Sequence, residues 1–225
     1  MYIVLLAAVV IATAPYVSSI ECPNVPNVKF DPESRAAVVD GHNKLRSTIA
    51  KGTAVYLGSY PLASGKNIYE LKWDCEVEKR AQAWADKCKF KHSGSGGENI
   101  FMSFSGGQRP SVKASGISAT DAWWSELKKY NASKNPKNVL NNDVFPAAGH
   151  WSQQAWGRTT KIGCGAANCT TNNWNSVIIV CQYLPMGNYW GAPIYQFGNG
   201  CSKDSDCTTF KDSKCVTGTK LCRAP

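Results

Sequence analysis

Histidine is the scarcest chemically versatile residue in this chain of 225, and the three are His42, His92 and His150. A neutral imidazole can ligate a divalent metal, and a titrating one can relay a proton near neutral pH. His92 opens a Ser- and Gly-rich stretch and His150 follows Gly149. Both are places where side chains from distant segments can converge. Two imidazoles backed by carboxylates would make a zinc-type site with open positions. With so few protein ligands it would hold the ion weakly and release it as the imidazoles protonate. Glu126 lies off the apolar stripe of its helix, so it can face an inner cleft. The competing reading is a hydrogen-bonded polar cluster without metal. Covalent catalysis finds little support. Ser152 stands two residues from His150, a spacing that points side chains apart on a helix. Ser93 is no better placed, and there is no G-x-S-x-G or H-E-x-x-H element. Glu98 with Glu126 is the pair a glycoside hydrolase would need.

The elements that must position these residues are legible in part. Asp31-Pro32-Glu33 supplies an N-cap, a proline at the first helical position and an acid in the first turn; Val38, Leu45 and Ile49 follow and Gly52 stops the run. Residues 54–66 read as a loop. Asp74 caps a second helix with Val77, Ala81, Trp84 and Cys88 on its apolar side and Glu78, Arg80 and Lys87 on its polar side. A third helix is expected from Ser118 or Thr120, with Trp123, Leu127 and Tyr130 as its stripe. A short fourth begins near His150 with Trp151 and Trp156. Ser176 to Tyr183 is a β-branched run apolar on both faces, hence a central strand, with Ile162–Ala166 beside it. Helices bracketing such a sheet predict an α/β fold, a three-layer α-β-α sandwich around a small, largely antiparallel sheet. After the Gly198-Asn199-Gly200 hinge, the tail has too few large apolar side chains to build a core and must be held by bridges.

The N-terminus reads as a leader. Ile3 to Ala14 is too short to span a bilayer, and Val17 and Ser19 predict cleavage near Ser19–Ile20. No later run approaches a membrane span, so the expected location is extracellular. Cys22, Cys75, Cys88, Cys164, Cys169, Cys181, Cys201, Cys207, Cys215 and Cys222 are an even set of ten behind that leader. They read as a disulfide framework whose pairing the spacing leaves open. A zinc ribbon is excluded because no C-x-x-C pair occurs. Asn131 and Asn168 are glycosylation sequons, the second enclosing Cys169. The net charge of +9 favours acidic partners, with solubility as the plain alternative. Nucleic acid is not expected, because the basic residues are scattered and the compartment is wrong.

Four motifs then fall in order: His42-Asn43-Lys44-Leu45-Arg46, Gly97-Glu98-Asn99-Ile100, Gly149-His150-Trp151-Ser152-Gln153-Gln154-Ala155-Trp156, and Ile178 through Tyr189. Together they resemble the CAP superfamily over roughly residues 30 to 195, most like nematode activation-associated secreted, or venom allergen-like, proteins. Gln154 departs from the aliphatic residue usual in the family. The resemblance implies domains at residues 1–19 (leader), 20–197 (CAP domain) and 198–225 (cysteine-rich tail). It also implies a cleft tetrad of His92, Glu98, Glu126 and His150, with His92 and His150 as ligands of a weakly bound zinc, and structural roles for His42, Asn43 and Arg46. Sterol would be held by the loop 138–148, whose one aromatic is Phe145. The expected function is a secreted, non-enzymatic binding protein, an immunomodulator engaging a host cell-surface protein or receptor. A sterol or fatty-acid carrier is the alternative, and a zinc-dependent hydrolase the lesser one.

Overall fold

The computed structural model describes residues 21–171 and 174–225, so the expected leader lies outside the described residues. Helix α1 (Pro32–Ala50) starts where the local signals put it, with the Asp31 carboxylate accepting the Ser34 N–H at 2.7 Å. Two-residue strands β1 (Val55–Tyr56), β2 (Tyr60–Pro61) and β3 (Gly65–Lys66) interrupt the loop that follows. Next come β4 (Lys72–Trp73) and α2 (Cys75–Ala85), the latter capped by Asp74, which accepts the Val77 N–H. Strand β5 (Glu98–Ser105), α3 (Val112–Ser125), α4 (Val144–Ala155), β6 (Lys161–Thr171) and β7 (Trp174–Leu184) complete the main body.

The main sheet runs in the order β4-β6-β7-β5, antiparallel except for the short β4–β6 pair. Alternation along β7 sorts its residues between two layers. Val177, Ile179, Cys181 and Tyr183 pack with Val38 of α1 and with Ala119 and Trp123 of α3. Ile178 and Val180 pack with Ala81 and Ala85 of α2. The sandwich is therefore three layers deep, as the pattern predicts. Gly163 and Gly165 explain how close α2 lies: a Cβ on either would fall within 2.3 Å of α2 backbone. Cys164 and Cys181 are opposite one another on β6 and β7 and are bridged. The other bridges are Cys22–Cys75, Cys88–Cys169, Cys201–Cys215 and Cys207–Cys222.

Several expectations need correction. Helix α3 starts at Val112, capped by the Ser111 hydroxyl, rather than near Ser118 or Thr120. Helix α4 starts at Val144 and kinks at Ala148, so only its second half coincides with the start expected near His150. Cys88 lies beyond α2 at φ +51°, off the helical stripe. Glu78 does not face water: it is buried, and both its oxygens take hydrogen bonds from the buried Arg35 of α1 at 3.0 Å, with the Trp73 indole donating at 2.8 Å. Strand β5 has no counterpart among the elements expected from the sequence.

The tail is packed on the body. Strands β9 (Lys214–Val216) and β10 (Leu221–Arg223) form a hairpin after β8 (Gln196–Phe197), which pairs with β3. Leu221 belongs to the core that holds Ile49, Trp151 and Trp156. The Tyr69 hydroxyl, buried under the tail, accepts the backbone N–H groups of Thr209 and Phe210.

Candidate functional site

The four tetrad residues line one cleft of about 530 Å³. They are brought there by different devices. His92 is carried by the loop after α2, which the Cys88–Cys169 bridge ties to β6. Glu98 is the first residue of β5. Glu126 opens the 3-10 turn Glu126–Lys128 that ends α3. His150 follows the kink in α4. That kink frees backbone N–H groups in mid-helix, and Glu126 takes them: its Oε2 accepts from His150 N at 2.9 Å and Trp151 N at 3.1 Å. A carboxylate at a restarted helix N-terminus satisfies the orphan donors and the dipole together.

Each imidazole is oriented by one acid. His92 Nδ1 lies 3.1 Å from Glu98 Oε1, and His150 Nδ1 lies 2.6 Å from Glu126 Oε1. With a carboxylate oxygen as acceptor, Nδ1 of each ring is the donor, and a neutral ring keeps its Nε2 lone pair for another partner. Burial pushes the Glu98 carboxyl up, but hydrogen bonds from His92, the Ser93 N–H and Gln182 outweigh it and hold the group below its ordinary value. The His92 and His150 ring centroids are 6.4 Å apart, and the Trp123 indole stacks on His150 at 6.2 Å.

Among the described residues, the groups of three or more donor atoms within 4.8 Å are Cys201, Cys207 and Cys222, and Cys22, Cys75 and Glu78; their cysteines are all consumed by bridges, and the tetrad is not one of them. The tetrad therefore fits a site with two imidazole ligands and two orienting carboxylates, not a closed cage of four protein ligands. The His92 side chain is 60% exposed, which keeps the site open to solvent.

The remaining sequence-predicted residues separate clearly. Phe145 reaches the cleft wall and is 53% exposed. Its ring meets Trp190 edge-on at 6.1 Å, and Trp190 is 61% exposed. Tyr189 and Trp190 thus extend the aromatic rim; nothing in their local sequence distinguishes them from core aromatics. Gln153, which the sequence presents only as part of the Gly149–Trp156 motif, is a further residue of the cleft. Its Oε1 accepts the Gly187 N–H at 2.9 Å, which fixes the amide, and its buried Nε2 at the cleft has no partner. Asn131 caps a short 3-10 turn and Asn168 is exposed on β6. The Ser152 hydroxyl donates to Gly149 O and Asn188 Oδ1, and Ser93 pairs with Ser95. Among the described residues, neither serine hydroxyl is hydrogen-bonded to an imidazole.

Behind the cleft a buried network supports it. The His42 Nδ1–H donates to Val38 O, so Nε2 accepts from the Tyr183 hydroxyl at 3.0 Å and Gln154 at 3.1 Å. Gln154, the departure from the family pattern, is absorbed here. Asn99 donates to Tyr183 and to His150 O, linking the network to the tetrad helix. These contacts bear out the structural reading of His42.

Over residues 39–183 the chain matches the cysteine-rich secretory protein family, CAP. The chain belongs to the CAP family. A secreted protein of Ancylostoma caninum is 33% identical over 216 residues, covering 91% of this chain and 47% of that protein. Among solved structures, BmVAL-1 is similar at 36% identity and TM-score 0.79, covering 89% of this CAP chain and 98% of its own. The structure described as NaASP2 with Zn2+ follows at 31% identity and TM-score 0.74, covering 88% and 99%. The four motifs and the fold are accounted for by this membership.

Burial is the main reason that His42 of this CAP domain protonates only near about 4, against an ordinary 6.5. The unfolded chain binds this proton first, so stability is complete above pH 6.5 and falls as pH drops towards 4. The gap corresponds to roughly 3 kcal/mol. Urea unfolding between pH 7 and 4 should show that decline, and His42→Gln should flatten it; an unchanged slope would remove His42 as its source.

Proposed function

We propose that this CAP protein is an exported, non-enzymatic binding protein whose cleft holds a divalent metal between His92 and His150 and engages a host cell-surface protein or receptor. One observation carries the metal reading: both imidazoles line one cleft and are hydrogen-bonded through Nδ1 to a carboxylate, so a neutral ring keeps its Nε2 lone pair for an ion. A relative at 31% identity described with Zn2+ supports it. Bound zinc would supply Lewis acidity and an open coordination position for a partner's donor group. Glu98 and Glu126 orient the two imidazoles. Disulfides and secreted relatives support an extracellular setting.

The test is calorimetric titration with zinc at pH 7.5, repeated with binding of labelled protein to leukocytes. One ion per chain is expected, with affinity reduced at least about tenfold in His92→Ala and in His150→Ala, in line with loss of a direct ligand. Equal zinc affinity in the double variant would sink the metal site, and absence of cell-surface binding at micromolar protein would sink the receptor reading. A second reading, carriage of a sterol or fatty acid, is favoured by the exposed Phe145, Tyr189 and Trp190 at the cleft mouth.

A further inference from the structure

Met186 and Tyr189 line the tetrad cleft on one side and a second pocket, of about 400 Å³, on the other. The two cavities differ in electrostatic sense. The first carries two carboxylates. The second is walled by Trp156, Pro185, Ile194 and Tyr195, and Arg158 is its one charged lining residue.

Arg158 is held on a fixed backbone. The buried guanidinium of Arg46 donates to the carbonyls of Trp156, Gly157 and Thr159, on both sides of it. The Gly157 N–H is bonded to Ile194 O at 2.8 Å. Polar neighbours do not compete for the guanidinium: the Asn67 amide donates to Gln196 and Thr208. The Arg158 side chain itself is exposed and makes no hydrogen bond or ion pair with the described residues. A cation that is neither neutralised by an acid nor buried, projecting from a clamped loop beside two tyrosines and a tryptophan, is a preformed receptor for charge joined to an apolar body. The planar fork of arginine suits a carboxylate, sulfate or sulfonate better than a point charge would.

We propose that this pocket is a second ligand site, separate from the tetrad, for a small organic anion with a ring body. Its acid group pairs with Arg158 and its rings lie against Trp156, Tyr189 and Tyr195. The site needs no metal and no zinc-binding residue, so it stands independently of the function proposed above.

The probe is 8-anilinonaphthalene-1-sulfonate, followed by its fluorescence and by quenching of tryptophan, with the uncharged N-phenyl-1-naphthylamine as comparison. Saturable binding of the sulfonate is expected, at least about tenfold tighter than the neutral analogue. Arg158→Ala should weaken it about tenfold, Arg158→Lys should fall between, and Lys79→Ala, which removes the same charge from α2, should leave it unchanged. Equal binding of both probes to the unaltered protein would overturn the proposal without any variant. So would full affinity in Arg158→Ala, or loss of the sulfonate in His150→Ala instead, which would place it in the tetrad cleft.

Discussion

Arg46→Met is expected to destabilise the protein by about 4 kcal/mol or more, a large share of what a domain of this size has to lose. Arg46 is fully buried in α1, yet no carboxylate neutralises it in the hydrogen-bond pattern. Its guanidinium donates instead to five carbonyls, those of Tyr69, Gln154, Trp156, Gly157 and Thr159. Methionine fills similar volume but supplies no donor; Trp156 O and Gly157 O keep the Thr159 and Tyr69 N–H groups as partners, while each carbonyl left without one away from water costs about 1–3 kcal/mol. The desolvation of the cation is recovered on removal, so the net loss is less than the sum of five. Arg46→Lys keeps the charge but not the fork and should retain only part of the stability. Urea unfolding of the oxidised proteins measures this, and a Met variant within about 1 kcal/mol of the parent would show that the carbonyls rehydrate. The same variant should also blunt the anion site, because the clamp around Arg158 would be gone.

What the sequence discloses here follows the range of the interaction. Asp31 and Asp74 announce their helices because a cap bonds to a backbone group three residues away. The start of α3 is hidden for the opposite reason. Its first turns, Val112 to Ser118, mix small residues with Lys113 and carry Gly116, so no continuous apolar stripe marks them. In the fold Gly116 lets α1 pack closely, since a Cβ there would meet the Val38 side chain at 2.8 Å. Helix α4 was half-read because Pro146 and Ala147 precede the kink at Ala148, and the kink is held by Glu126, twenty-four residues upstream. The tetrad was named through the family motifs; composition alone offered two histidines and a stray acid. Trp190 joins Phe145 only across the fold, and no spacing rule connects them. Strand β5 mixes polar and apolar residues at the sheet edge, where one side lacks a neighbouring strand.

Glu78 shows the same limit energetically, and Glu78→Gln is expected to cost about 3–5 kcal/mol. A glutamate on a short helix beside Lys79 and Arg80 reads as surface. Its partner is Arg35, forty-three residues earlier on the opposite layer of the sandwich. The two meet beside β4, the two-residue edge strand whose Trp73 indole also donates to Glu78. Glutamine still accepts from the Trp73 indole through its oxygen, but its amide turns donor against donor towards the guanidinium. The loss is therefore mostly the penalty of a buried cation without its counter-charge, not the worth of the pair. That distinction can be measured. If it is right, the double variant Arg35→Met, Glu78→Met should be far more stable than Glu78→Gln, because apolar side chains of similar size remove both charges at once. If the double variant is as unstable as the single, the pair contributes net attraction across the sandwich.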